Sequence, residues 1–468
     1  MQSYGAAEND EGGYERPDER ESESAALLGV DRDTTVKQNQ NLDGHASVIS
    51  SVSNLTNTII GSGMLTFPLA MASAGIIPGI ITCIFSGSVA AFGLHLLAIC
   101  ATKTTHRRSS FFAVAQLTFP KAAVFFDAAI AIKCFGVSVS YLIIIKGLMP
   151  NVVASLYHDL TPSTTEPPEW SLSGRIWISL FMAILLPLAF LRRLDSLRHT
   201  SYVALFSVAY LVVIVVRCYF WPLKNMPKRG DVHLIKLTPR FISTFPVQVF
   251  AFTCAQNLFP IYNEVIGNTP QRLNMVIGTS IGSAVVTYEI IAVLGYLTFG
   301  SNVGANIIAM YPSTSLFIAV GQLAIVILVL FSYPLQVHPC RNCLDKVFHA
   351  GDVAQVQEDV DDFDHASHGI SPLKHTLITL AIVASGFTIA YFVDDLQMVL
   401  SFVGSTGSTT ISFILPGLFY WKLFRGDPSA KMKTCGAIAL TFYGACIFVF
   451  CLGFNIYQTT RSLPASGH

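Results

Sequence analysis

An apolar stretch near the start of the chain contains polar and helix-breaking residues that could hold a ligand. Residues 54–68 read NLTNTIIGSGMLTFP, with asparagines, glycines and a proline close together. A helix in hydrocarbon satisfies its backbone hydrogen bonds internally, so such a segment is tolerated only where freed N–H and C=O groups face protein, water or ligand. Glycines let the backbone leave helical geometry, and the unpaired N–H groups at a helix start favour an anion. The stretch therefore predicts a broken helix that binds a carboxylate.

A second stretch, residues 245–264, has the same pattern. Cys254, Gln256, Asn257 and Pro260 interrupt an apolar run near its middle. Carbonyl groups exposed at the end of its first half, with the side chains of Gln256 and Asn257, can accept hydrogen bonds from an ammonium group. The two breaks together predict a site for a zwitterion, hence for an amino acid.

The spacing of the two breaks bears on the architecture. They fall in the first and the sixth apolar runs, and matching interruptions five spans apart are typical of an inverted repeat with a substrate site near the membrane midplane. The glycines also have a second interpretation, because Gly61 and Gly63 could merely allow two helices to cross closely.

Charged residues inside apolar runs are functional candidates, because an unpaired charge in a membrane is costly. Lys133 and Glu289 are candidates for ion coupling, with Glu289 as a carboxylate that takes up protons. For Lys133 the alternative is a structural ion pair with Asp127 or Glu289. Glu264 ends the sixth run, where it forms a gate salt bridge or is simply solvated.

Composition places the chain among polytopic helical membrane proteins. Of its 468 residues 52% are hydrophobic and only 12% charged. The net charge of zero argues against a nucleic-acid partner, and no His-Glu-x-x-His motif of a metalloprotease occurs, so we expect no enzyme. Cys340 and Cys343 form a lone C-x-x-C pair, and without a second half no metal site is expected.

Eleven apolar runs approach or exceed the ~20 residues that a ~30 Å hydrocarbon core requires. They cover roughly 48–73, 75–101, 122–149, 174–191, 198–220, 240–266, 274–299, 315–337, 373–394, 398–420 and 432–456. We expect an all-α fold in which 47–220 (helices 1–5) and 240–420 (helices 6–10) form inverted repeats. The eleventh helix, 432–456, would be peripheral and 457–468 a lumenal tail.

The excess of Lys and Arg in alternate connections predicts a cytosolic N-terminus, although five positive residues between 224 and 240 go against it.

Residues 1–46 are polar and partly acidic, and they contain no apolar signal-peptide core. We expect a disordered cytosolic tail. Glu23, Leu27 and Leu28 match an acidic dileucine signal for a sorting adaptor. The tail therefore favours a vacuolar or lysosomal membrane, with the plasma membrane as the alternative.

Three segments carry a resemblance to a known family. They are NLTNTIIGSGML at 54–65, KCFGVSVSYL at 133–142 and FTCAQNLFPIYNE at 252–264. The chain resembles the amino acid/auxin permease family, most closely its fungal vacuolar amino acid transporters and the animal sodium-coupled neutral amino acid transporters. The resemblance implies eleven spans, a five-plus-five inverted repeat and secondary amino acid transport by alternating access.

The resemblance also implies roles for individual residues. The carboxylate would bind the backbone of Gly61, Ser62, Gly63 and Met64, and Cys254, Gln256 and Asn257 would complete the substrate site. Asn57 matches a position for cation and substrate binding, and Ser332 a place where related transporters bind sodium. Tyr141 reaches the carboxylate or is a packed aromatic.

Two positions depart from the family pattern. Ala255 stands where many relatives have His, so coupling through that imidazole cannot operate here. Lys146 and Gly147 stand where relatives often have Gly-Asp.

The sequence thus predicts a transporter of amino acids, neutral ones above all, with H⁺ or Na⁺ as coupling ion and no other cofactor. The alternative is an amino acid sensor that signals through its N-terminal tail.

Overall fold

The computed structural model describes residues 44–104, 107–160, 167–191, 200–348 and 371–462. This part of the chain is helical and contains no strand, only an isolated bridge between Ala46 and Val265. The longer helices are α1 (Val48–Ile59), α2 (Phe67–Ala74), α3 (Ile76–Ala101), α4 (Phe111–Thr118), α5 (Ala123–Leu160), α6 (Gly174–Ala189), α7 (Thr200–Phe220), α8 (Phe241–Ala251), α9 (Ala255–Glu264), α10 (Pro270–Phe299), α11 (Leu316–Phe348), α12 (Pro372–Phe392), α13 (Leu396–Val403), α14 (Leu415–Phe424) and α15 (Lys431–Ser462).

Eight helices in the described ranges are long and apolar enough to cross a membrane, and a ninth span results if α1 and α2 are counted as one bent helix. The prediction of an all-helical polytopic membrane protein is therefore confirmed. The predicted total of eleven depends in addition on α6, which has 16 residues, and on the α8–α9 pair, which has 11 and 10. That total, like the inverted repeat, stays a prediction.

The first broken helix forms where the sequence predicts it. Ser47 begins α1 by accepting a hydrogen bond from the N–H of Ser50, and α1 ends at Ile59 ahead of the glycines. A 3₁₀ turn over Ser62–Thr66 connects it to α2, which starts at Phe67 with a proline in its first turn. The two parts are bent by 45°. Proline is accepted at a helix start because it lacks only an N–H that the helix would leave unpaired there.

The second broken helix has a shorter interruption. Its first part, α8, ends at Ala251, and its second part, α9, begins at Ala255 after Cys254. Pro260 lies inside α9, where it cannot donate a backbone hydrogen bond. The two breaks lie against each other, because the 3₁₀ turn of the first packs on α8.

The longest helices form the wall around the breaks. α5 and α11 pack side by side along much of their length, and α10 packs against α1 and α2. Between α13 and α14 the helix widens into π turns over Gly404–Ser408 and Thr410–Ile414. The small residue Gly407 lets this segment approach Lys133 of α5. Close packing at small residues is the usual means by which membrane helices associate.

Candidate functional site

The backbone of the first break offers hydrogen-bond donors. Within the described residues, the N–H groups of Ser62 and Gly63 donate to no other group, and the Ser62 hydroxyl is buried without a hydrogen-bond partner. Met64 closes the turn by donating its N–H to the Gly61 carbonyl at 3.2 Å. Unpaired N–H groups at the start of a helical segment form an anion-binding surface.

The two glycines of this break have different surroundings. A Cβ atom added to Gly63 would lie 2.7 Å from the Cβ of Ala251, so Gly63 is required for close packing against the end of α8. A Cβ added to Gly61 would meet only the Ile59 carbonyl oxygen, at 4.0 Å. The packing interpretation therefore holds for Gly63, whereas Gly61 borders open space.

That space is a small cavity of about 30 Å³ between the two broken helices and α5. It has room for little more than a water molecule, so it must widen before an amino acid can enter. Its lining combines backbone from both breaks with a few polar side chains: Thr58, Ile59, Gly61, Ser62, Gly63, Lys133, Val137, Tyr141, Phe250, Ala251, Thr253 and Gln336.

Lys133 brings a basic side chain to this cavity. Its side chain is only 4% exposed, and its Nζ donates to Gln336 Oε1 at 3.4 Å. No carboxylate of the described residues lies within ion-pair distance of it. Asp127 instead faces Cys343 and Lys346, and Glu289 faces Cys83. The structural ion pair with Asp127 or Glu289 was therefore the wrong alternative.

Tyr141 lies on α5, the same helix as Lys133. It is buried and lines the cavity, and its hydroxyl faces Ser332 of α11. The structure thus brings Tyr141 and Ser332 together beside the break. Both roles given to them from the sequence remain predictions.

In the second broken helix, the end of α8 and the interruption itself line the cavity, whereas α9 does not. Phe250, Ala251 and Thr253 contribute to the wall. Cys254 is buried outside the lining, and the side chain of Asn257 donates to the Thr58 hydroxyl at 2.6 Å.

Four further candidates lie outside the lining. Gln256 has a buried Oε1 atom with no hydrogen-bond partner among the described residues. Met64 is buried and Asn57 is half-buried on α1. Glu289 also lies apart, and neither of its buried carboxylate oxygens has a hydrogen-bond partner in the described ranges.

Glu264 lies at the end of α9, next to the N-terminal segment. Its backbone carbonyl accepts the N–H of Ala46 at 2.9 Å. Arg107 donates to the carbonyls of Asn263 and Val265 at 2.6 and 3.2 Å. The Glu264 side chain is exposed, and its role as a gate stays a prediction. Glu23, Leu27 and Leu28, the sorting residues, lie outside the described residues.

Tyr288, which the sequence did not single out, contacts both breaks from outside the lining of the cavity. It lies on α10 and is completely buried, and its hydroxyl is 2.6 Å from the carbonyl oxygen of Ile59 and 3.0 Å from that of Ala251. These carbonyls end the first part of each broken helix. The only signal in the sequence is the polar Tyr288-Glu289 pair within an otherwise apolar run.

Comparison with known proteins identifies the family. The family model described as transmembrane amino acid transporter protein matches residues 44–461. The chain belongs to the transmembrane amino acid transporter family. The family membership confirms the resemblance seen in the sequence, and it makes the chain a transporter homologue rather than an enzyme.

Individual relatives agree with this assignment. The chain is 41% identical to vacuolar amino acid transporter 5 of Schizosaccharomyces pombe, over 89% of this chain and 96% of the relative. It is 33% identical to vacuolar amino acid transporter 5 of Saccharomyces cerevisiae, over 89% and 99% of the two chains. It is also 33% identical to vacuolar amino acid transporter 6 of Saccharomyces cerevisiae, over 87% and 98%. The sequence similarity to these relatives therefore covers at least 87% of this chain.

Proposed function

We propose that this protein moves neutral amino acids across a vacuolar membrane by alternating access, coupled to H⁺ or Na⁺. The observation that supports it best is the meeting of both broken helices at one small cavity that Lys133 also lines. The relatives' names, which specify vacuolar amino acid transport, support the cargo and the membrane.

The substrate carboxylate binds at the first break. The free N–H groups of Ser62 and Gly63 and the Ser62 hydroxyl provide donors, and Lys133 provides a countercharge. Hydrogen bonds between charged groups are shorter and stronger than those between neutral groups. Tyr141 adds a hydroxyl donor from the same wall of the cavity.

The substrate ammonium binds at the second break. Ala251, the last residue of α8, lines the cavity, and carbonyls at a helix end carry partial negative charge. No Asp or Glu is among the described residues of the lining, so nothing there would compensate a cationic side chain. One cation matched to one carboxylate favours a substrate whose side chain is neutral.

Transport then requires the small cavity to widen toward each side in turn. We take the chain to have eleven spans, with α1 to α7 and α8 to α14 as inverted repeats. Rocking of one repeat against the other around a fixed site is the motion that such a fold supports. In this arrangement the N-terminus is cytosolic, the C-terminus is lumenal, and the tail with Glu23, Leu27 and Leu28 binds a sorting adaptor.

The coupling ion has two sets of candidates. Asn57 and Ser332 match positions for sodium, and Ser332 faces Tyr141, which lines the cavity. Glu289 is a candidate for protons, because its carboxylate is partly buried and lacks a hydrogen-bond partner among the described residues. Residue 255 is an alanine, so no imidazole at that position can carry the proton.

The test is uptake of radiolabelled neutral amino acids into proteoliposomes that contain the purified protein, under separate sodium and proton gradients. We expect saturable uptake that one of the two gradients accelerates, with little uptake of lysine or arginine. Saturable binding without uptake under either gradient would overturn the transport proposal and favour a sensor. Preferential uptake of arginine would overturn the assignment of Lys133.

A further inference from the structure

Tyr288 connects the two broken helices through a single oxygen atom. Its ring stacks on Phe67 at 4.5 Å and lies edge-on to Phe252 at 5.2 Å. This packing fixes the hydroxyl between the carbonyls of Ile59 and Ala251, at 2.6 and 3.0 Å. No other described side chain donates to both breaks.

The hydroxyl cannot satisfy both carbonyls fully, because a tyrosine has one O–H hydrogen. Two helix-terminal carbonyls therefore share one donor while the cavity has its contracted form. An ammonium group has three donors and no acceptor, so it supplies what is missing.

We infer that Tyr288 is a positioning residue that holds the contracted site together when no substrate is bound. Building on the transport function proposed above, the substrate ammonium takes over the Ala251 carbonyl. The Tyr288 hydroxyl then donates to the Ile59 carbonyl alone. Between two transport events, the Tyr288 hydroxyl thus donates to the Ala251 carbonyl in place of the substrate ammonium.

This role has a consequence for the transport cycle. Net uptake requires the protein to return through its contracted form without substrate, whereas exchange of internal for external amino acid does not. Without the hydroxyl, two buried carbonyls lose their donor in the substrate-free form, and only one does so when the ammonium is bound. Removing the hydroxyl should therefore slow net uptake and leave exchange nearly unchanged.

The experiment compares Tyr288→Phe with Tyr296→Phe in proteoliposomes. Phenylalanine keeps the ring contacts of Tyr288. Tyr296 is a matched control, because it is also completely buried on α10, but its hydroxyl accepts the N–H of His233 away from both breaks. Net uptake is measured into vesicles without internal amino acid, and exchange into vesicles loaded with it.

For Tyr288→Phe we expect about a tenfold loss of net uptake with exchange within about twofold of the unmodified protein, since an orphaned buried acceptor costs that much or more. The substrate should raise its melting temperature more than it raises that of the unmodified protein. If net uptake and exchange fall equally, whether or not the variant folds, Tyr288 has only a structural role and the inference is overturned. It is also overturned if neither flux changes. Failure of the unmodified protein in both assays would instead overturn the proposed function.

Discussion

Replacing Lys133 by methionine tests the proposed carboxylate site most directly. Methionine keeps a long unbranched side chain and removes the charge. The ammonium is buried, and the part of the chain that the structure describes places no carboxylate within ion-pair distance of it. Burying an unpaired charge costs free energy. Lys133→Met should therefore leave the stability of the protein unchanged or slightly higher.

Transport should respond in the opposite direction. If the ammonium binds the substrate carboxylate, the variant loses a charge-assisted hydrogen bond, which contributes about 1.5–3 kcal/mol. Because about 1.4 kcal/mol corresponds to a factor of ten, the apparent affinity for a neutral amino acid should fall between about 10- and 150-fold. The concentration dependence of uptake into proteoliposomes measures this change.

Lys146→Met is the matched control on the same helix. Lys146 is also buried, but its Nζ donates to the Val393 carbonyl at 2.8 Å and pairs with Asp394 at 2.7 Å. Its loss removes the donor to the Val393 carbonyl and to the buried Ala390 carbonyl, so this variant should lower the melting temperature and keep the substrate affinity. A Lys133→Met protein that melts early and transports with normal affinity would refute the reasoning.

Three further predictions concern neighbouring parts of the site. Glu289→Gln should abolish the acceleration of uptake by a proton gradient while exchange continues, and unchanged proton-driven uptake would remove Glu289 as the coupling group. Gly61→Ala should lower the apparent affinity several-fold at an unchanged melting temperature, because its Cβ enters the cavity. Gly63→Ala should lower the melting temperature, because its Cβ would lie 2.7 Å from that of Ala251. Equal melting temperatures of the two glycine variants would contradict this difference. Asn257→Ala should reduce stability by about 1 kcal/mol, measured by thermal unfolding, through loss of its bond to Thr58.

The fold class and both breaks could be predicted from the sequence because they depend on local properties. Apolar runs of spanning length predict membrane helices, and α1 and α8 end at Ile59 and Ala251, close to the glycines and to Cys254. Backbone geometry at these points is dictated by neighbours in the chain. Family membership was predictable for the same reason, since the motifs are contiguous.

The partners of side chains across helices could not be predicted in this way. Whether Lys133 meets Asp127, Glu289 or neither depends on the rotation of several helices around their axes. Spacing along α5 does not determine it. Tyr288 was missed because a tyrosine in an apolar run is usually a packed aromatic. Only the packing of α10 against the first break reveals what its hydroxyl contacts.

The two glycines explain why the sequence left two interpretations of the first break open. Gly63 is needed because the backbone of α8 approaches it, and this contact places Ala251 beside Gly63 in the wall of the cavity. Gly61 is open to that cavity instead. Close helix crossing and ligand binding are therefore not competing explanations for this motif, because the crossing at Gly63 places the acceptor of the second break beside the donors of the first. A bulky residue at Gly63 would separate the two halves of the proposed zwitterion site, so loss of transport in such a variant cannot by itself distinguish packing from binding, whereas a methyl group at Gly61 can.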